Sequence, residues 1–143
     1  MSSVETRLAA YRPQALAMLR IITALLFMAH GTAKLLGFPD TGMSPPLFSL
    51  FGLAGVLELV GGVLLVIGLF TRPVAFILAG EMAAAYFMAH APQSFFPILN
   101  KGESAILFCF VFLYLVAAGA GAWSLDGRTA SAGFSAQRAS SAA

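Results

Sequence analysis

Charge is scarce in this chain. Only 10% of its 143 residues are Asp, Glu, Lys or Arg, against roughly 25% in a soluble globular domain. A surface so poor in charge excludes an ordinary soluble enzyme. Cysteine occurs once, at Cys109, which excludes an intramolecular disulfide or a CxxC dithiol and reads as a small apolar packing residue. There is no glycine-rich phosphate loop and no Ser/His/Asp set. The eight Lys and Arg sit at the ends of apolar runs rather than in a patch interleaved with aromatics, so nucleic acid is not an expected partner. The two histidines, His30 and His90, show neither HxxxH nor ExxH spacing. A zinc or iron site built from His30, Glu58, Glu81 and His90 would have suitable ligand types, but the spacing gives it little support, and no metal is expected.

Long apolar runs are what the chain does have. Hydrophobic residues make up 59% of it and its mean hydropathy is +0.89. Four runs approach the roughly twenty residues that cross a hydrocarbon core: about 16–36, 51–70, 73–91 and 104–123. The expected fold is all-α, a polytopic membrane protein with an antiparallel four-helix transmembrane bundle. Residues 1–15 form an N-terminal segment in which Pro13 suits the opening of the first helix, residues 16–126 the membrane domain, and 127–143 a Ser/Ala-rich tail expected to be disordered. Only Thr71 and Arg72 separate the second and third runs, which predicts a tight helical hairpin. Their small residues (Gly52, Gly55, Gly61, Gly62; Ala79, Gly80, Ala83, Ala84) predict that this hairpin is the close-packed centre. Arg20 before an apolar stretch and Ala29-His30-Gly31 has a loose likeness to a cleavable signal, but the run continues and its polar residues match others further on.

Placing Arg7, Arg12, Arg20, Arg72, Arg128 and Arg138 inside leaves only Lys34 and Lys101 outside. This satisfies the positive-inside rule with both termini cytoplasmic. At about 1.5 Å per residue, Lys34 then lies near the outer interface with His30 about 6 Å deeper. Glu58 falls roughly 10 Å below that interface and Glu81 near mid-membrane on the same rise. A carboxylate at such a depth is costly, by about 2.5–3.5 kcal/mol on insertion scales, and usually marks a partner or a site. His30, Lys34, Glu58 and Glu81 are therefore the candidate pocket, opening outward, with Lys34 opposite Glu58 and His30 opposite either glutamate. His90, Lys101 and Glu103 are candidates at the outer rim, although Glu103 also suits a helix start. Asp126 is expected to end the last helix, and Trp123 and Tyr11 to anchor at the inner interface.

Four groups of residues, in order along the chain, resemble a known family. They are His30-Gly31-x-x-Lys34-Leu35-x-Gly37-Phe38; Glu58-x-x-Gly61-Gly62 with Gly68-Leu69-x-Thr71-Arg72; Asn100-Lys101-Gly102-Glu103; and Gly119-x-Gly121-x-Trp123-Ser124-Leu125-Asp126. Together they resemble the DoxX family of bacterial inner-membrane proteins, over roughly residues 16–126. The resemblance implies a four-helix protein of the inner (cytoplasmic) membrane. Relatives have been linked to redox work, as a subunit of a thiosulfate:quinone oxidoreductase and as a membrane partner of superoxide dismutase and a sulfurtransferase. It carries over the positions His30, Lys34, Glu58, Glu81 and Glu103, but no substrate.

Two functions follow as expectations. In the first, the chain is a small integral subunit of an oxidoreductase-type complex, whose outward pocket contacts quinone or an electron-transfer partner. That partner would be a membrane or periplasmic redox protein, or a second copy of the chain. In the second, it is an assembly or anchor subunit whose polar residues only tie helices together. Transport has less support, because no inverted repeat is visible.

Overall fold

The structure is a computed structural model and describes residues 3–128. All its regular elements are helical: α1 (Ser3–Ala10), α2 (Arg12–Leu36), α3 (Leu50–Ile67), α4 (Thr71–Ala85), a π-helical turn (Tyr86–His90) that continues α4, a short α5 (Pro97–Asn100), and α6 (Glu103–Ala118). The 127–143 tail expected to be disordered lies, beyond its first residues, outside the described part.

The helix limits follow local chemistry. Pro13 lies in the first turn of α2, where its missing N–H costs nothing. Gly37 closes α2 in the left-handed conformation. The Ser49 hydroxyl caps α3 by accepting from the Gly52 N–H at 3.1 Å. Gly68 ends α3 with φ 66°, and a Cβ there would lie 2.5 Å from Ser124 Cβ; only glycine fits both demands. The hairpin turn therefore falls at Gly68–Phe70, and Thr71 and Arg72 belong to α4 rather than to a loop. The fourth apolar run is helical only as far as Ala118, because Gly119 leaves helical geometry.

Among the described residues, three helices are long and apolar enough to cross a membrane: Arg12–Leu36, Leu50–Ile67 and Thr71–His90. At sixteen residues, Glu103–Ala118 is shorter. The close pairings are α2 with α3 and α4 with α6, while α3 and α4 touch much less. This corrects the expectation of a tight α3/α4 centre. Two glycines of α3 serve α2 instead: Gly55 faces Lys34 and Leu35, and Gly62 faces Met28, while Gly61 meets Leu78 of α4. Gly31 of α2 packs on α3 backbone, where a Cβ would come within 2.7 Å of the Leu59 nitrogen. Small residues do allow close approach, but they line the α2/α3 seam.

The core joins the two pairs. Phe27 of α2 meets Phe112 and Phe108 of α6 edge-on, with centroids 4.9 and 5.3 Å apart. Leu65, Leu78, Met82 and Leu115 complete it. The outward faces carry large exposed hydrophobics such as Leu26, Val60, Phe76 and Phe110. An apolar exterior around a small apolar core is the arrangement lipid requires.

Candidate functional site

Two polar assemblies lie at opposite ends of these helices. At one end Arg20, fully buried, fans its guanidinium over five carbonyls. Nε donates to Ala120 at 2.8 Å, and Nη1 to Leu65 and to Val66. Nη2 donates to Ala122 and Trp123 at 3.1 and 3.0 Å. All five N–H groups are thus engaged, on carbonyls left over at the end of α3 and in the irregular 119–123 segment. Arg72 does the same for α6, donating to Val116 and Ala117. Asp126 accepts from the backbone N–H groups of Phe70 and Thr71 at 2.9 and 2.8 Å. It therefore caps the start of α4, rather than ending the last helix as expected. Burial opposes ionisation of Asp126, but the Thr71 and Phe70 hydrogen bonds and the Arg20 charge outweigh it and hold the carboxyl below its usual value.

In the sequence Arg20 reads as an orientation signal, and its structural role emerges only from the fold. Its position eight residues inside α2, beyond Arg12, was the available signal. An arginine that deep needs an internal set of acceptors.

The other end holds the expected pocket residues, though not all of them together. Lys34 Nζ donates to Glu58 Oε1 at 2.5 Å, joining α2 to α3. Glu58 is only 2% exposed, and its Oε2 has no partner. Glu81, on α4, has both carboxyl oxygens buried and without a partner. All three side chains line one groove of about 720 Å³ between the splayed helices α3 and α4. Its walls are otherwise apolar and include Leu57, Ile77, Met82 and Met88. Gly80, beside Glu81, leaves open space, since no atom lies within 4 Å of where its Cβ would be.

His30 does not join this groove. It is exposed, is absent from the groove lining, and stands edge-on to Phe108 of α6 at 5.9 Å. It was expected opposite a glutamate, but four residues of spacing from Lys34 gives only an approximate common face. The rim candidates form a separate cluster between the π-helical turn and the start of α6. His90 Nδ1 lies 2.9 Å from the Asn100 carbonyl and its ring stacks on Tyr86. Lys101 is exposed in the left-handed conformation (φ 57°). Glu103 is exposed at the first turn of α6. The residue that orders this loop is Asn100, 1% exposed. Its side chain donates to the Ser94 carbonyl and accepts from the Gly102 N–H, both at 2.8 Å. Among the described residues, no three His, Cys, Asp or Glu side chains gather to hold a metal ion.

The apolar helices, their exposed hydrophobic faces and the buried polar clusters define a small helical membrane protein. Residues 15–91, more than half of the chain, match the DoxX family. The chain belongs to that family. It is 49% identical over 127 residues to an uncharacterized protein of Haemophilus influenzae, covering 82% of this chain and 92% of that one. It is also 29% identical to the Escherichia coli inner membrane protein YphA, covering 83% of this chain and 93% of that one. A Bacillus subtilis relative bearing the name "Putative oxidoreductase CatD" is 29% identical, over 76% of this chain and 82% of its own. No solved structure matches the chain significantly.

Proposed function

We propose that this protein is a small integral subunit of an oxidoreductase-type complex in the bacterial inner membrane, and that its α3/α4 groove receives a quinone-type ring. Both termini lie on the cytoplasmic side and the groove lies in the outer half of the bilayer. The observation that carries the reading is Glu81. Its carboxyl is buried in an apolar wall, has no protein partner, and faces a groove with room for a ring. An isolated structural pair would not need that second carboxyl, because Lys34 already pairs with Glu58 across α2 and α3. Apolar walls with a few convergent polar groups suit a lipid-soluble ligand, and an acidic group beside a ring suits proton exchange with it. The name of the Bacillus subtilis relative agrees with a redox setting.

Extraction of the protein in mild detergent, followed by quinone analysis of an organic extract, tests this. Wild-type protein is expected to retain about one quinone per chain. Gly80→Leu should insert and accumulate normally, because its side chain enters open space, yet come out empty. Glu81→Gln should lower quinone-dependent electron transfer in membranes by at least tenfold at unchanged protein level. Full electron transfer in both variants, with no quinone on the wild type, would overturn the reading.

The second reading, an assembly subunit with no chemistry of its own, is favoured by the Lys34–Glu58 pair, which can be explained as interhelical glue. On that reading Glu58→Gln lowers the amount of assembled complex and leaves the activity per complex unchanged.

A further inference from the structure

A quinone-type ring has two states with opposite hydrogen-bonding character. The oxidised ring carries carbonyl oxygens, which only accept; the reduced ring carries hydroxyls, which donate as well. The groove is one-sided in the same terms. Glu58 Oε2 and both oxygens of Glu81 are buried acceptors with no partner. Lys34 supplies the only cation of the lining, with one N–H already held by Glu58 and its side chain 17% exposed. A ring carbonyl placed here could satisfy Lys34, but it would set its lone pairs against Glu81 and leave the buried oxygens unmatched. A ring hydroxyl in the same place accepts from Lys34 and donates to a carboxyl oxygen. With a proton on one carboxyl, unmatched acceptors still outnumber the new donor.

We propose that the groove selects the reduced, hydroxyl-bearing ring over the quinone. Its tail would lie along Leu57, Ile77 and Met88. The proposal rests on the reading of the groove as a quinone-type site. Selection here is a matter of binding alone and requires no electron transfer by this chain.

The test compares three ligands with the same ring and short alkyl tail: the hydroquinone, the quinone, and the hydroquinone O,O-dimethyl ether. The ether keeps the ring and the tail and lacks both donors. Binding to the purified full chain in detergent is measured by titration calorimetry, without oxygen for the hydroquinone. Leaving a buried acceptor unmatched weakens binding by about tenfold to a hundredfold, so the hydroquinone should bind that much more tightly than either other ligand. Glu81→Gln replaces one acceptor with an N–H donor and should bring the ratio near one. Equal binding of all three by the wild type, or tighter binding of the quinone, overturns the selection while the quinone-type site stands. Binding of none of the three overturns both. The central comparison uses wild-type protein, so it does not depend on how the variant folds.

Discussion

Arg20 shows what one buried residue does when every donor it has is used. Its five hydrogen bonds join the end of α3 to the 119–123 segment. Arg20→Met would take a partner from each of those carbonyls, with Leu65 keeping only the Gly68 N–H, and lower stability by on the order of 3 kcal/mol or more. Thermal unfolding in detergent should show the loss, and Arg20→Lys, with three donors on a flexible stem, should recover only part of it. Asp126 gives a pH-dependent counterpart. Its folded carboxyl is held below its unfolded value, so its contribution is present above the unfolded value of about 4 and lost as pH falls through the folded one. Asp126→Asn should therefore be less stable than wild type at pH 7, and the gap should close below about pH 4. A gap independent of pH would refute the assignment. Asp126 was misread because its partners, Phe70 and Thr71, are 55 or more residues away, and no local pattern reveals such a cap. The Lys34–Glu58 pair was easier to foresee: a cation and an anion at similar depth in neighbouring apolar helices have few other options.

Pairing between helices is decided by which small residues face each other, and that is where one-dimensional reading failed. Glycine and alanine content marked α3 and α4 as close partners, whereas Gly31 turns the tight face of α3 toward α2. Glycine spacing in one helix says how closely something approaches, not which neighbour it is. Gly31→Val should push α2 off the backbone at Leu59 and Gly55, costing about 1–3 kcal/mol as overpacking does. It should also separate Lys34 from Glu58. A crosslink between cysteines placed on α2 and α3 would report this as a lower yield than in the parent pair. In the loop ordered by Asn100, Asn100→Ala should free the Ser94 carbonyl and the Gly102 N–H, making segment 91–102 more susceptible to protease without releasing the helices.

At the scale of the molecule, both the all-helical class and the membrane setting were legible from hydropathy alone, because lipid demands long apolar helices and leaves few alternatives. The fourth span is less plain. α6 has sixteen residues, about 24 Å at 1.5 Å per residue, less than a full core thickness. The irregular stretch to Trp123 extends it, with its carbonyls held by Arg20. If α6 does cross and the termini are cytoplasmic as proposed, single cysteines near residues 5 and 126 should react with an impermeant thiol reagent only after the membrane is permeabilised. A cysteine at 101 should react in intact cells stripped of their outer barrier. Reaction of positions 101 and 126 from the same side would show that α6 does not cross.

The arginine clasp also bears on how the chain is made. Arg20 emerges early, yet Ala120, one of its acceptors, follows a hundred residues later. Until that closing segment is synthesised, the first long helix carries a cation with most of its acceptors missing. A chain truncated before residue 119 should therefore be cleared by membrane proteases faster than the full chain, which a pulse-chase comparison checks.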